Sequence, residues 1–587
     1  MRARCTIHSR PMAPDRIRTN FTQYALAGSM LLILLAFLVY PILLTVRGGF
    51  AADPSTGTGF TLEHIRSLFS NPVVTEGLIN SVQLATGTTT LAVLIALPLA
   101  VLSAGYKFPC KGLFNAAILV PLILPPFVGA IGVRAMLGKE GAINALLGTD
   151  FDILGSAKVF GVMAVQALSL YPIIYLNATA ALANLDPALG EAAENLGSSR
   201  TRTFFRITLP LIRPGLFAGA TIVFIWSFTE LGTPLMFDYY AVAPVRIFNG
   251  LKDIENNAEP YALTVVLLTM AVGMYLAGKV LFGKRGHAMY SKAARAGGEA
   301  ELTGLKGWLA TGFFTVISLL AVMPHLGVIL TSVTYPGQWY DTTLPTVFTS
   351  SHFQQALGAP DSFRSIMNSL KLAGFAMAVD IVIGIVVAYI IVRTRVIGRG
   401  LLDALCMLPL AVPGLVMAFG YVAMSLRFPF GKDGPLSGFA SIISSDPNPI
   451  PFLIIAYSIR RLPYIVRSTV AGLEQTSGEL EEAAINLGAT RVYAVRRVIL
   501  PLIMANLIAG GLLVFAFSML EVSDSLILAQ QSEDFPITKA IWSFADRYGD
   551  GPYIASAMGV WGMALLTITL VAASSLLGKK LGSIFRV

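Results

Sequence analysis

The chain has 587 residues, of which 55% are hydrophobic and only 13% charged, against about 25% charged in a soluble domain. Fifty-four glycines and 32 prolines exclude a coiled coil, no Gly-X-Y period points to collagen, and a polytopic membrane protein remains. The net charge of +9 would point to nucleic acid in a soluble protein, so its placement along the chain decides its meaning.

The N-terminus is basic (Arg2, Arg4, Arg10, Arg16, Arg18) and precedes an apolar stretch from Tyr24 to Val46. That stretch exceeds the 7–15 residues of a signal-peptide core, and no small-residue cleavage site follows it. It reads as an uncleaved first span with its N-terminus in the cytoplasm. Further spans are predicted at 75–104, 113–137, 158–183, 214–240 and 261–283, then at 307–331, 365–392, 401–426, 451–473, 504–529 and 554–578. The predicted fold class is an all-α polytopic membrane protein of about twelve helices in two tandem six-helix halves. The organisation is a tail (1–24), a first half (25–283), a polar linker (284–306), a second half (307–580) and a short tail (581–587). Both termini then lie inside. The inner segments hold Arg200, Arg202, Arg206, Arg213, Lys284, Arg285, Arg393, Arg395, Arg399, Arg491, Arg496 and Arg497 among others, and the outer segments hold fewer basic residues. The positive charge is therefore an orientation signal, and no nucleic-acid partner is needed. Cys5, Cys110 and Cys406 have neither disulfide nor zinc spacing.

The two halves repeat one another. Glu191-Ala-Ala-Glu-Asn-Leu-Gly197 is followed nine residues later by Ile207-Thr-Leu-Pro210, and Glu482-Ala-Ala-Ile-Asn-Leu-Gly488 by Val498-Ile-Leu-Pro501. The offset of 291 also relates Pro172 to Pro463, Arg206 to Arg497 and Glu230 to Glu521. Upstream the offset is 288, which pairs Asn80-Ser81 with Asn368-Ser369 and Pro121/Pro125 with Pro409/Pro413. Six spans bring the chain back to the same side, so the halves form a parallel repeat about an axis along the membrane normal.

The loop between the fourth and fifth spans of each half falls on the cytoplasmic side. Asp186-Pro187 suits an N-cap with proline at the first helical position, Thr476-Ser-Gly-Glu479 reads as a capping box, and Gly197 and Gly488 suit left-handed helix stops. Each loop is expected to hold a short helix, a glycine turn, a basic segment and a Leu-Pro entry into the next span. A lone loop of this kind reads as an interfacial amphipathic helix; two copies at one topological position read as a docking device.

The pattern E-A-A-x-x-x-G-x9-I-x-L-P resembles the coupling-loop signature of bacterial ATP-binding-cassette importer permeases, with Val498 replacing isoleucine in the second copy. The resemblance covers nearly the whole chain. It implies that Glu191, Ala192, Ala193, Gly197, Ile207 and Pro210, with Glu482, Ala483, Ala484, Gly488, Val498 and Pro501, couple the chain to two ATPase subunits. It further implies a periplasmic solute-binding protein above and a place in the bacterial inner membrane. ATP and Mg would be bound by the partners, and this chain would hold no cofactor. Fusion of two permeases in one chain is similar to the importers of ferric iron, thiamine and 2-aminoethylphosphonate. Arg460-Arg-Leu-Pro-Tyr464 looks like the ferric group, and the run Pro121 to Ala130 at least as much like the aminoethylphosphonate group.

Ionisable residues at membrane depth are costly and mark functional sites. Glu230, Glu521 and Asp524 fall in the periplasmic half of their spans. They line a translocation path, for which carboxylates suit a hard cation, or else tie neighbouring helices. Asp380 has Ala92 as its repeat mate, and Arg460, Arg461 and Arg467 have Ser169, Leu170 and Leu176. Pairing of these charges with neighbouring spans stands beside conduction or anion attraction. His325 is alone and reads as structural. No Walker, H-E-x-x-H or G-x-S-x-G motif occurs, so the chain has no catalytic or metal-ligating set and is not an enzyme. The competing class is an ion-coupled secondary transporter with two six-span repeats, which needs no docking loops.

Overall fold

The computed structural model describes residues 21–577 except 54–55, 151–154, 156, 255–256, 283–299 and 433. Most of the tail 1–24 and of the linker 284–306, and the tail 581–587, lie outside the described residues, as does Lys284. The described residues are mostly helical, and among them one two-stranded pairing joins Tyr106–Lys107 to Ala300–Glu301. That clip fastens the end of the linker to the first half.

Eight helices are long and apolar enough to cross a membrane, and three sharply bent helix pairs bring the number to eleven. The one predicted span left over, the tenth in chain order, is Ile450–Glu474, which has 25 residues but carries Arg460, Arg461, Arg467 and Glu474. Its repeat mate Lys158–Ala183 has no internal charge and qualifies.

Spans three and nine are not straight. Lys111–Ile123 meets Pro126–Leu147 at 102°, and Arg399–Leu410 meets Gly414–Ser425 at 104°. Pro125 (φ −55°, ψ 139°) and Pro413 (φ −57°, ψ 133°) stand at the corners in an extended conformation. A proline lacks the N–H for the helical ladder and pushes its predecessor out of the helical region, so the repeated prolines turn the chain rather than merely kink it.

In each half three helices pack together: Pro72–Gly105, Lys158–Ala183 and Leu209–Phe228 in the first, Pro360–Arg393, Ile450–Glu474 and Met504–Met519 in the second. The first span of each half crosses to the other. Tyr40–Phe50 packs on Gly414–Ser425, and Leu305–Val333 packs on Pro126–Leu137. Each crossing sets a glycine against a proline. A Cβ at Gly132 would overlap the Pro324 carbonyl, and one at its repeat mate Gly420 would come 2.8 Å from the Pro41 carbonyl oxygen. Helices in lipid approach this closely only where side chains are absent. Pro41 also leaves the Phe37 carbonyl without its helical donor, and the Tyr421 hydroxyl supplies one from the other half at 2.7 Å.

Three π turns share one cause. Leu35–Val39, Phe204–Thr208 and Val495–Ile499 each end two residues before a helical proline, Pro41, Pro210 and Pro501. The residue between bonds five positions back, as Leu209 does to Phe204 and Leu500 to Val495. Widening the turn accommodates a proline that would otherwise strike the carbonyl four residues earlier.

Candidate functional site: paired repeat loops and a buried charge cluster

The first loop holds the helix Pro187–Asn195, and Asp186 caps it by accepting from the Ala188 N–H at 3.0 Å. The second holds Glu479–Asn486, but no capping box forms there. Gly478 is the cap residue, the Glu479 N–H is taken by Ser477 Oγ, and the Thr476 hydroxyl turns back to the Gly472 carbonyl. Both helices end alike. Gly197 (φ +80°) donates to Glu194 O and Ser198 to Ala193 O; Gly488 (φ +93°) donates to Ile485 O and Ala489 to Ala484 O. This pair of reversed bonds needs a left-handed residue, which glycine adopts without a Cβ penalty.

Beyond each glycine a second N-cap starts the next helix. Ser199 Oγ accepts from the Arg202 N–H and Thr490 Oγ1 from the Tyr493 N–H, both at 3.3 Å. The matching hydroxyl residues 291 apart carried that signal in the sequence, and sequence reading passed over it. The glycine turn sets a two-helix corner whose outer surface is exposed. Glu191, Ala192 and Ala483 are exposed, Glu482 and Ala484 half-buried and Ala193 buried; Ile207 and Val498 lie half-buried in the π turns, and Pro210 and Pro501 are exposed. At the tip the repeat mates Leu196 and Leu487 are 89% and 90% exposed. Two bare leucines at one repeat position form an exposed apolar tip that no described residue covers.

The second locus lies where the halves meet. The helix Leu209–Phe228 stops at Thr229 and resumes as Gly232–Met236; Met504–Met519 stops at Leu520 and resumes as Ser523–Leu528. Glu230 and Glu521 therefore sit in helix breaks, not on continuous spans as their sequence positions implied, and Asp524 opens the next short helix. All three are buried. The two breaks face each other: a Cβ at Gly232 would lie 2.9 Å from Val522 Cγ1, and Glu230 is within electrostatic range of Glu521 and Arg460.

The surroundings of the two glutamates differ. Glu230 Oε1 accepts long bonds of 3.4 Å from the Thr233 N–H and hydroxyl, and the Gly232 N–H also donates to its carboxylate. Glu521 is held by Arg460 Nη1 at 2.8 Å and by Arg461 Nη2, and Arg460 reaches Asp524 at 3.4 Å. The Arg460 guanidinium lies against Gly414, where a Cβ would overlap it. The first half has Pro126 in place of Gly414 and Ser169 in place of Arg460, so the room and its occupant were exchanged together. Asp380 is fully buried and accepts from Ser458 Oγ; Arg467 pairs with Asp403 at 3.6 Å. Asp380 Oδ2 and Asp524 Oδ1 have no hydrogen-bond partner among the described residues. His325 is buried beside Pro324 at the cross-half crossing.

The matched Asn-Ser pairs have a shared task. Ser81 Oγ accepts from the Ala243 N–H at 2.9 Å and Ser369 Oγ from the Ile537 N–H at 2.8 Å. Asn80 donates to Ala241 O and Asn368 to Glu533 O and Phe535 O. Each pair pins the segment that follows the broken helix. Those segments bring Phe248 and Trp542 together edge to face, with ring centroids 5.9 Å apart.

A family model described as "Binding-protein-dependent transport system inner membrane component" matches residues 72–281 and again 380–581. The chain is similar to the "Ferric transport system permease protein FbpB" of Actinobacillus pleuropneumoniae, 26% identical over 558 residues that cover 93% of this chain and 76% of that protein. It is also similar to the "Molybdenum transport system permease protein ModB" of Escherichia coli K12, 32% identical over 169 residues, 28% of this chain and 74% of that one. Among solved structures, a bacterial alginate ABC transporter in complex with its alginate pentasaccharide-bound periplasmic protein aligns with 46% of this chain and 94% of its own, at 20% identity and a TM-score of 0.35. The two matched regions span well over half of the 587 residues, and the chain belongs to the family of binding-protein-dependent inner-membrane permeases, carrying two copies of the family unit in one polypeptide.

Proposed function

We propose that this chain forms the whole membrane path of an ATP-driven importer, with one ATPase subunit seated on each cytoplasmic loop and a periplasmic binding protein delivering solute from the other side. The observation that carries the docking is the duplicated corner: two glycine-closed helices at one repeat position, each presenting an uncovered leucine. The family membership sets aside the ion-coupled secondary transporter. Both termini and the basic loops then face the cytoplasm, in keeping with the placement of Lys and Arg. ATP and Mg belong to the partner subunits.

Closure of the ATPase pair pulls the corners together and moves the helices rooted in them. The facing breaks at Glu230 and Glu521 are the natural gate, because interrupted helices place backbone dipoles and side chains in the path. Ferric iron is favoured as solute over 2-aminoethylphosphonate on two grounds. The FbpB resemblance spans nearly the full chain. Among the six charged side chains of the cluster, four are carboxylates (Glu230, Asp380, Glu521, Asp524), and Arg460 and Arg461 are already engaged by them, which leaves no free guanidinium for a phosphonate.

The test is charge reversal at both loops, Glu191→Lys with Glu482→Lys. Uptake of radioactive ferric iron in cells is expected to vanish, and ATPase subunits to be lost on purification, while the chain still inserts at normal levels. Unchanged uptake in the double variant refutes the docking role. Normal coupling without iron uptake refutes only the solute.

A further inference from the structure

The two docking loops are connected to the buried carboxylates in different ways. In the first half the corner runs into one continuous helical span without a sharp bend, Arg200–Phe228 of 29 residues with a π turn at Phe204–Thr208, roughly 43 Å at 1.5 Å per residue. It ends two residues before Glu230. A push on the first loop is conveyed along one rigid element.

The second half lacks that rod. Arg491–Leu502 and Met504–Met519 meet at 76° around Ile503, so a push on the second loop is not carried straight to Glu521. A different connection is present instead. Glu481, in the docking helix, is fully buried and accepts a 2.5 Å bond from the Tyr389 hydroxyl. Arg393 Nη2 donates to the carbonyls of Leu473 at 3.1 Å and Thr476 at 2.6 Å, at the root of the same loop. Tyr389 and Arg393 occupy the cytoplasmic end of the 34-residue helix Pro360–Arg393. Nine residues before Tyr389 on this helix, Asp380 accepts from Ser458 Oγ on Ile450–Glu474. Ser458 precedes Arg460 and Arg461, the two residues that hold Glu521.

These bonds are not repeated at the equivalent positions of the first half, whose own buried bonds run from Thr88 and Ser227 to Gln166 and from Tyr175 to Ser103 and Asn115. The repeat mates of Glu481, Tyr389, Arg393, Asp380 and Ser458 are Gly190, Val101, Gly105, Ala92 and Ala167, and none of them has a polar side chain. The half with the broken rod ties its docking helix to a span through a buried carboxylate, and the equivalent positions of the half with the intact rod carry no such tie.

We propose that the halves convey ATPase movement by different routes, the first along the helix Arg200–Phe228 and the second through Glu481–Tyr389 and Asp380–Ser458 to the Arg460/Arg461 clamp on Glu521. This rests on the docking reading of the loops. Tyr389 and Glu481 are positioning residues: they touch no solute and act through the helix that they tie to the loop. A buried carboxylate bonded to a hydroxyl is a stiff link, because leaving either group unpaired costs its full desolvation.

The experiment uses the complete importer, permease with its ATPase subunits and binding protein, in lipid nanodiscs. The native cysteines at 5, 110 and 406 are replaced by serine. Single reporter cysteines go at the repeat mates Leu235 and Leu526, both buried behind their own half's break. Maleimide labelling is measured with and without trapping by ATP and vanadate. Tyr389→Phe removes one hydroxyl and is expected to cut the trapping-induced change at Leu526→Cys about tenfold, on the scale of one hydrogen bond to a charged group, and to leave the change at Leu235→Cys intact. Glu481→Gln still accepts the bond and keeps more of the response than Glu481→Ala, which guards against a variant that merely folds poorly. Equal responses of the two reporters in Tyr389→Phe, whether both kept or both lost, overturn the proposal. Failure of the docking reading shows separately, as a parental complex that retains no ATPase subunits, and the relay then falls with it for want of an input.

Discussion

Removal of the Glu521 carboxylate tests whether the charge cluster is as unequal as its geometry. In Glu521→Ala the guanidiniums of Arg460 and Arg461, with side chains 20% and 13% exposed, lose the acceptor that faces both of them. Asp524 remains for Arg460 at 3.4 Å, and the Phe517 carbonyl for Arg461 at 3.3 Å. Breaking a buried pair by deleting one partner costs about 3–5 kcal/mol, because the other charge stays buried. In Glu230→Ala the weak 3.4 Å contacts from Thr233 and the contact from the Gly232 N–H are lost, which is about 1 kcal/mol. The two glutamates are repeat mates at equivalent helix breaks, yet their removal should differ by about 2–4 kcal/mol. The assay is thermal unfolding of the purified chain in nanodiscs, followed by tryptophan fluorescence. Glu521→Ala should unfold several degrees below the parent, and Glu230→Ala close to it. A third variant separates charge from shape. Arg460→Met, Arg461→Leu and Glu521→Leu together replace the set by apolar groups and should recover most of the stability, as such replacements do elsewhere, without recovering uptake. Equal destabilisation by the Glu230 and Glu521 variants refutes the assignment of both arginines to Glu521.

At the cross-half contacts, Gly132→Leu and Gly420→Leu force a side chain into backbone and should each cost upwards of about 3 kcal/mol. The readout is the yield of monodisperse chain after membrane extraction, with Gly400→Leu, where nothing lies within 4 Å, as a control that stays normal. Ser81→Ala and Ser369→Ala each strand a buried N–H on the segment after a helix break, at about 1–3 kcal/mol apiece. Hydrogen exchange at Ala243 and Ile537 should rise only in the half that carries the substitution.

The repeat, the glycine-closed corners of the two loops and the run of spans were legible because each is written in local chemistry: apolar length, a proline after Asp186, a glycine where φ must be positive. The departures have physical causes that lie outside the local sequence. Glu230 was read as lying within a helix because the apolar run continues past it, and only the facing break from the other half shows why the chain stops there. The expected box at Thr476 failed because that hydroxyl had a nearer acceptor, the Gly472 carbonyl one turn back in the preceding helix. The matched Asn80-Ser81 and Asn368-Ser369 were visible as a repeat but not as pins, since their acceptors and donors lie more than 160 residues away. The arginines of Ile450–Glu474 were seen to be unmatched in the first half; their partners on the helix break could be named only once the breaks were located.

The exchange of first spans limits how the importer can move. With Tyr40–Phe50 resting on Gly414–Ser425 and Leu305–Val333 on Pro126–Leu137, the halves cannot draw straight apart without stripping both helices from their seats. At Gly132 and Gly420, however, the surfaces in contact are backbone against proline, and the side-chain tie beside them, from the Tyr421 hydroxyl to the Phe37 carbonyl, is a single hydrogen bond. Two such bearings, one on each side of the pseudo-twofold axis, allow one half to roll over the other while the contact persists. Access to the carboxylates would then alternate by rotation about a line through the two glycines, and the line itself would stay sealed to lipid throughout the cycle.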